Sequence, residues 1–138
     1  MPGTTKYITL DDAKRAMAAA EAEARKNNWN MAIAVLDAGA HLILFERMDD
    51  VQIGSVDVAI GKARTAVNFK RPTKALDDLV SGGRTAFLAI EGVVPLQGGL
   101  PVMADGKLIG AVGVSGGTAP QDEQVALAAV EALLSGEK

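Results

Sequence analysis

The stretch "LPVMADGKLIGAVGV", residues 100–114, decides the fold. Two apolar runs flank Asp105-Gly106, a two-residue turn that joins antiparallel strands with the right twist. Pairing Ala104 with Lys107 places Gly98-Gly99 opposite Gly113 and Val112. Gly98-Gly99 and Gly116-Gly117 then meet at one rim of a sheet. That convergence marks the leading candidate site.

Downstream the chain continues as "GAVGVSGGTAPQDEQVALAAVEAL", residues 110–133. The last helix spans about Pro120 to Leu134, with Thr118 as cap and Asp122 and Glu123 in its positive first turn. Backbone N–H groups at such a start attract anions. Yet there is no Gly-Lys-Ser/Thr, and two carboxylates sit where phosphate would bind. "GVSGG" also fits a nucleophile elbow with Ser115 as nucleophile. That pattern needs a base after the serine, and the one histidine, His41, precedes it. A Ser-His pair would have to be assembled from two hairpins. The plainer alternative is a glycine turn chosen for backbone shape, with Ser115 hydrogen-bonding locally.

Working outward, "MAIAVLDAGAHLILFERM" (31–48) reads as a second hairpin, with Gly39 placed to take a positive φ. His41, Ile43, Phe45 and Arg47 share one face by alternation, and Leu42, Leu44 and Glu46 the other. Both faces are mostly apolar, which predicts a sheet covered on both sides. Thr9 opens a helix with a Thr-x-x-Asp cap; Leu10, Ala13, Met17, Ala20 and Ala24 form its stripe, and Asn27-Asn28 ends it. "SVDVAIGKARTAVNF" (55–69) is a helix lined by Ala59, Ala63 and Ala66. Pro72 precedes a short helix over "TKALDDLV" that stops at Gly82-Gly83. "TAFLAIEGVVPL" (85–96) fits strand and helix equally. Hairpins separated by helices predict a single α+β domain over 1–138, an antiparallel sheet packed by helices.

With 138 residues, 49% hydrophobic and 22% charged, the chain is long and apolar enough for one packed core. A net charge of −3 without a basic run argues against nucleic acid as partner. No apolar run reaches membrane-span length, and "MPGTTKYITLDD" has no signal pattern, so a cytoplasmic location is expected. Zero cysteines exclude a disulfide frame and thiolate ligands or nucleophiles. The single His41 suits a heme iron or a general base, or is simply a solvated turn residue. Arg47 either pairs with Asp49 and Asp50 or, with Lys62 or Arg64, holds a carboxylate. Asp122 and Glu123 stabilise any helix start, and their nearness to Ser115 and the glycines makes them proton-transfer candidates.

"AVLDAGAHLILFERMD", "GKARTAVNF", "GGLPVMADGKLIGAVGVSGG" and "QDEQVALAAVEA" together resemble the small GlcG/HbpS-like family, from about Leu10 to Leu134. The resemblance implies an α+β domain with an antiparallel sheet flanked by helices in a profilin-like layering, assembly into dimers and larger rings such as octamers, and heme or small-metabolite binding. Relatives occur beside glycolate-oxidation genes, in microcompartment proteins linked to corrinoid metabolism, and in catabolic clusters. Position by position, the family's blocks fall on Asp37 and Gly39, on Arg47, Met48 and Asp49, and on Lys62 and Ala63. They continue on Gly98, Gly99 and Pro101, then on Ser115, Gly116, Gly117, Asp122 and Glu123. The family often has a second glycine where this chain has Ala40.

The expectation is a small-ligand-binding homo-oligomer of the heme-binding type. His41 would be the iron ligand, with Tyr7 and the methionines as other candidates. Arg47, Lys62, Gly98, Gly99, Ser115, Gly116, Gly117 and Asp122 would contact ligand. The alternatives are a cofactor-free hydrolase, isomerase or lyase acting on a small carboxylated or aldehyde metabolite, and a structural accessory subunit. In the enzyme, His41, Ser115, Asp122 and Glu123 are the catalytic candidates.

Overall fold

The computed structural model describes residues 1–135. Its order is α1 (Leu10–Lys26), β1 (Ala32–Asp37), β2 (Leu42–Arg47), α2 (Ser55–Phe69), α3 (Thr73–Ser81), a 3-10 turn (Thr85–Ala89), β3 (Gly99–Ala104), β4 (Lys107–Ser115) and α4 (Ala119–Ser135). The four strands form one antiparallel sheet in the order β2-β1-β4-β3. Helices α1 and α4 cover one face around Met17, Met31, Ile33, Val35, Val112 and Val114. The other face carries α2 over Ala34, Leu36 and Ala111. The α+β expectation, with both sheet faces covered, is what the chain adopts.

Local chemistry explains the helix limits. Thr9 accepts from the Asp12 N–H at 3.0 Å while Asp12 accepts from the Thr9 N–H at 2.9 Å, the reciprocal cap expected there. At α4, Thr118 and Gln121 make the same exchange, with Thr118 N donating to Gln121 Oε1 at 3.0 Å. The alanine stripes are spent inside the chain. Ala13, Ala16, Ala20 and Ala24 of α1 are fully buried, and α1 packs chiefly on α4. Helix α2 lies so close to β4 that a Cβ on Gly113 would collide with the Ala59 carbonyl.

Four expectations need correction. First, the β3–β4 register is Gly99 opposite Gly113, one residue off the expected pairing. Ala104 does pair with Lys107, but β4 slips by one between Val102 and Met103. A bulge of this kind re-aims every residue beyond it.

Second, β2 carries an extra residue where Leu36 pairs with Leu42 and Val35 with Leu44. Ile43 and Leu44 therefore pack on the α1/α4 side and Phe45 on the α2 side. The shared face of His41, Ile43, Phe45 and Arg47 does not exist.

Third, Ala40 takes the left-handed backbone at φ 66, not Gly39. Gly39 is needed for another reason. A Cβ there would meet the His41 ring at 2.9 Å, so glycine makes room for the imidazole.

Fourth, most of 85–96 is neither strand nor regular helix. Its backbone donors go to local turn carbonyls, as Phe87 N to Arg84, Ile90 N to Phe87 and Val93 N to Ile90, or to a side chain, as Val94 N to Thr65 Oγ1 at 2.9 Å. Just beyond, Gln97 N donates to Asp77 at 2.9 Å and Gly99 N to Thr73 Oγ1 at 2.8 Å. A segment whose N–H groups find such partners has no need of a ladder.

Candidate functional site

The two glycine pairs do converge at one rim of the sheet, and a buried ion pair closes it. Lys62 of α2 and Asp122 of α4 lie 2.9 Å apart, both buried. Lys62 Nζ also donates to the Val114 carbonyl at 2.9 Å, and Gly117 N donates to Asp122 Oδ1 at 2.8 Å. Gly98, with φ 132, lies directly against this pair. A Cβ on it would sit 2.7 Å from Lys62 Nζ and 2.9 Å from Asp122 Cβ. Burial pushes the Asp122 carboxyl above the usual carboxylate range, against the opposing pull of Lys62 and the Gly117 N–H. The group is a clamp that ties α2, β4 and α4 together.

The rim's anion donors are therefore already used. The Gly117 and Thr118 N–H groups go to the side chains of Asp122 and Gln121, and the Lys62 ammonium goes to Asp122 and Val114. These are the donors a phosphate would call on first, and their commitment agrees with the missing Gly-Lys-Ser/Thr. Ser115 is buried and pairs with Ser55 Oγ at 3.2 Å. Arg47, exposed, sits two strands away, since Ala32 pairs with both Arg47 and Ser115. Glu123 points elsewhere. With Asp77 it adds to the field holding the Lys74 proton, which comes mainly from Asp78 at 2.8 Å.

His41 is at the other end of the sheet. β1 runs from Ala32 beside the rim to Asp37 at the first turn, about 17 Å of extended chain. No Ser115–His41 pair forms across that distance. The His41 side chain is 82% exposed, its Nδ1 3.4 Å from Asp37 Oδ1. Asp37 is itself organised, accepting from the N–H groups of His41 and Gly39, each at 2.9 Å. The His41 N–H bond is the larger cause holding the Asp37 carboxyl below its usual range. Beside this turn, the N-terminal segment crosses the sheet edge. Ile8 is buried there because Gly110, lacking a Cβ, leaves room for its Cδ1. A cleft of about 290 Å3 remains, walled by Tyr7, Ile8, Gly39, Ile43, Leu108 and Ile109.

The chain's matches to known proteins agree with this architecture. The sequence pattern of the family described as "Haem degrading protein HbpS-like" matches residues 8–131. The chain belongs to the HbpS-like family. Among relatives of this HbpS-like chain, Protein GlcG of Escherichia coli K12 is 48% identical over 112 residues, covering 81% of this chain and 84% of GlcG. The structure of Klebsiella pneumoniae ORFY superposes with a TM-score of 0.90 at 32% identity, covering 98% and 97% of the two chains. That of a PduOC–heme complex superposes at 0.84 and 32% identity, covering 92% and 95%. Among the described residues no helix is long and apolar enough to cross a membrane, and no cluster of three or more His, Asp or Glu could hold a bare metal ion.

Sequence reading passed over two features. Glu46 on β2 is half-buried, with Oε2 inaccessible and without a partner; burial, then Glu21 of α1, pushes its carboxyl up to about 7. A Glu on a strand's mostly apolar face was the available signal. The other is Trp29, in the loop after α1, which no motif pointed to.

Proposed function

We propose that this HbpS-like chain is a small-ligand-binding protein of the heme-binding type, a cytoplasmic homo-oligomer of catabolic metabolism built from dimers, with the octamer as its larger form. The observation that carries this reading is His41: an exposed imidazole resting on Gly39 at the mouth of an apolar-walled cleft. The residues fit an iron porphyrin on one side. Asp37 lies against Nδ1, which orients the ring and favours the tautomer whose Nε2 lone pair faces outward as an iron ligand. The aliphatic wall of Ile8, Ile43 and Leu108 supplies an apolar surface that keeps water from a macrocycle edge. Heme, if bound, would supply a redox-active iron, and His41 is the residue of this chain that would hold it. A cleft of about 290 Å3 covers only part of a porphyrin, so a second copy of the chain is the natural cover for the rest.

The test is a hemin titration of the purified protein followed in the visible spectrum. A saturable Soret shift is expected at one heme per subunit or per dimer, lost in His41→Ala and weakened about tenfold in Asp37→Asn. A shift that persists in His41→Ala would overturn His41 as ligand, and no saturable shift would overturn the heme reading. The reading as an enzyme on a carboxylated metabolite finds less support at the rim, where Lys62 is committed to Asp122.

A further inference from the structure

Outside the Lys62–Asp122 clamp, the glycine rim carries an open groove of about 360 Å3. Its walls come from three segments far apart in the chain. The end of α1 contributes Asn28, Trp29 and Asn30; the turn after β2 contributes Asp50 and Gln52; Gly116-Gly117 and Gln121 close the third side. Backbone geometry holds the segments together. Asn28 (φ 60) ends α1 in a left-handed turn in which Trp29 N donates to the Ala24 carbonyl at 2.9 Å. Gly116, with φ 140, approaches so closely that a Cβ on it would meet the Asn30 carbonyl at 2.6 Å.

We infer that this groove is a second ligand site, built for a small neutral polyhydroxylated molecule, a sugar or polyol. The lining holds four carboxamides, one carboxylate and one indole, and no lysine, arginine or histidine. The nearby cation, Arg25 in the adjoining groove that shares Asn28, Trp29 and Asn30, is held by Glu21 at 2.6 Å, and the neighbouring N–H groups of Gly117 and Thr118 are already bonded within the chain. Among the described residues the side chains of Asn28, Asn30 and Asp50 make no hydrogen bond. Gln121 uses its oxygen on Thr118 and keeps its NH2 group for another acceptor. A hydroxyl group donates and accepts at once, so carboxamides beside a carboxylate match a run of hydroxyls better than they match a charged ligand. Trp29 adds a flat apolar surface for the C–H face of such a molecule. The volume is near the lower end of the roughly 300–1,000 Å3 typical of ligand pockets, which suits a monosaccharide-sized guest. The groove and His41 lie at opposite ends of the sheet, so this inference stands apart from heme.

Trp29 is the chain's one tryptophan, so its emission reports on the groove directly. The full chain would be titrated with glycerol, D-glucose and myo-inositol, and in parallel with acetate, phosphate and methylammonium at matched ionic strength. A saturable emission change with at least one of the three polyols is expected. Its half-saturation point should rise at least tenfold in Asn30→Ala and in Asp50→Asn, with melting temperatures unaltered. Asparagine tolerates the left-handed backbone of Asp50 (φ 66), and Asn30 is exposed, so both variants keep the fold. No saturable response to any polyol, a response to charged probes alone, or a polyol response equal in wild type and both variants would overturn the inference.

Discussion

The two ends of the sheet are built on opposite plans. At the glycine rim, charge and glycine are concentrated, yet the core of that rim faces inward. Lys62, Asp122, the Val114 carbonyl and the Gly117 N–H satisfy one another behind Gly98. At the first hairpin turn a single imidazole stands in solvent beside an apolar cleft. Glycine and ionisable residues in close order thus mark close packing as readily as ligand binding. What separates the cases is whether the polar groups still have free valences.

The largest effect should come from breaking the clamp. Asp122→Ala leaves the Lys62 ammonium buried without its partner and frees the Gly117 N–H, which should cost about 3–5 kcal/mol, read as a lower denaturation midpoint. Replacing both members, Lys62→Met with Asp122→Leu, should recover much of that loss. A loss under about 1 kcal/mol in Asp122→Ala would make the rim an exposed site after all.

Next in size is a pH effect away from both ends. The Glu46 carboxyl titrates near 7 in the fold, against an ordinary value of 4.5. The folded chain therefore binds more protons than the unfolded one between those values, and stability falls as pH rises from about 4.5 through about 7. Glu21, pulled down mainly by Arg25, acts only below that window. Urea midpoints should be lower at pH 8 than at pH 5.5, and Glu46→Gln should raise the pH 8 value and flatten the difference.

At the open end, Gly39→Ala should leave the melting temperature within a few degrees while displacing the His41 ring. Hemin affinity should then drop at least fivefold, whereas Gly98→Ala, at the clamp, should mainly destabilise. Equal heme effects from the two glycines would erase the distinction between the ends. The smallest change is Ala40→Gly. It relieves a left-handed alanine at φ 66, which costs roughly 1–2 kcal/mol, and loses part of that gain to unfolded-state entropy. A net stabilisation of about 0.5–1 kcal/mol is expected in thermal melts.

Much of the architecture is legible in the chain because its signals are local. The Thr9–Asp12 cap, the helix over 55–69, Pro72 before α3 and the Asp105-Gly106 turn each need only a few neighbouring residues to specify them. The errors of detail share one cause. Bulges at Ile43 and in β4 depend on which strand lies alongside, and a period-two count is blind to them. The stretch 94–97, where the segment 85–96 ends, is held by Thr65, Thr73 and Asp77, residues of two earlier helices.

For the sites, the sequence by itself determined the inventory: one histidine, no cysteine, paired glycines converging at one rim, and the resemblance that placed the chain among HbpS-like proteins. Only the tertiary structure decided how that inventory is spent. It buried Lys62 against Asp122, put His41 about 17 Å of strand away from Ser115, and joined Trp29 to Asp50 and Gln121 across one groove. The physical reason is that hydrogen-bond valence and burial belong to pairs of residues brought together by folding. A residue's type states what it can bond; its neighbours in space decide what it has left to offer.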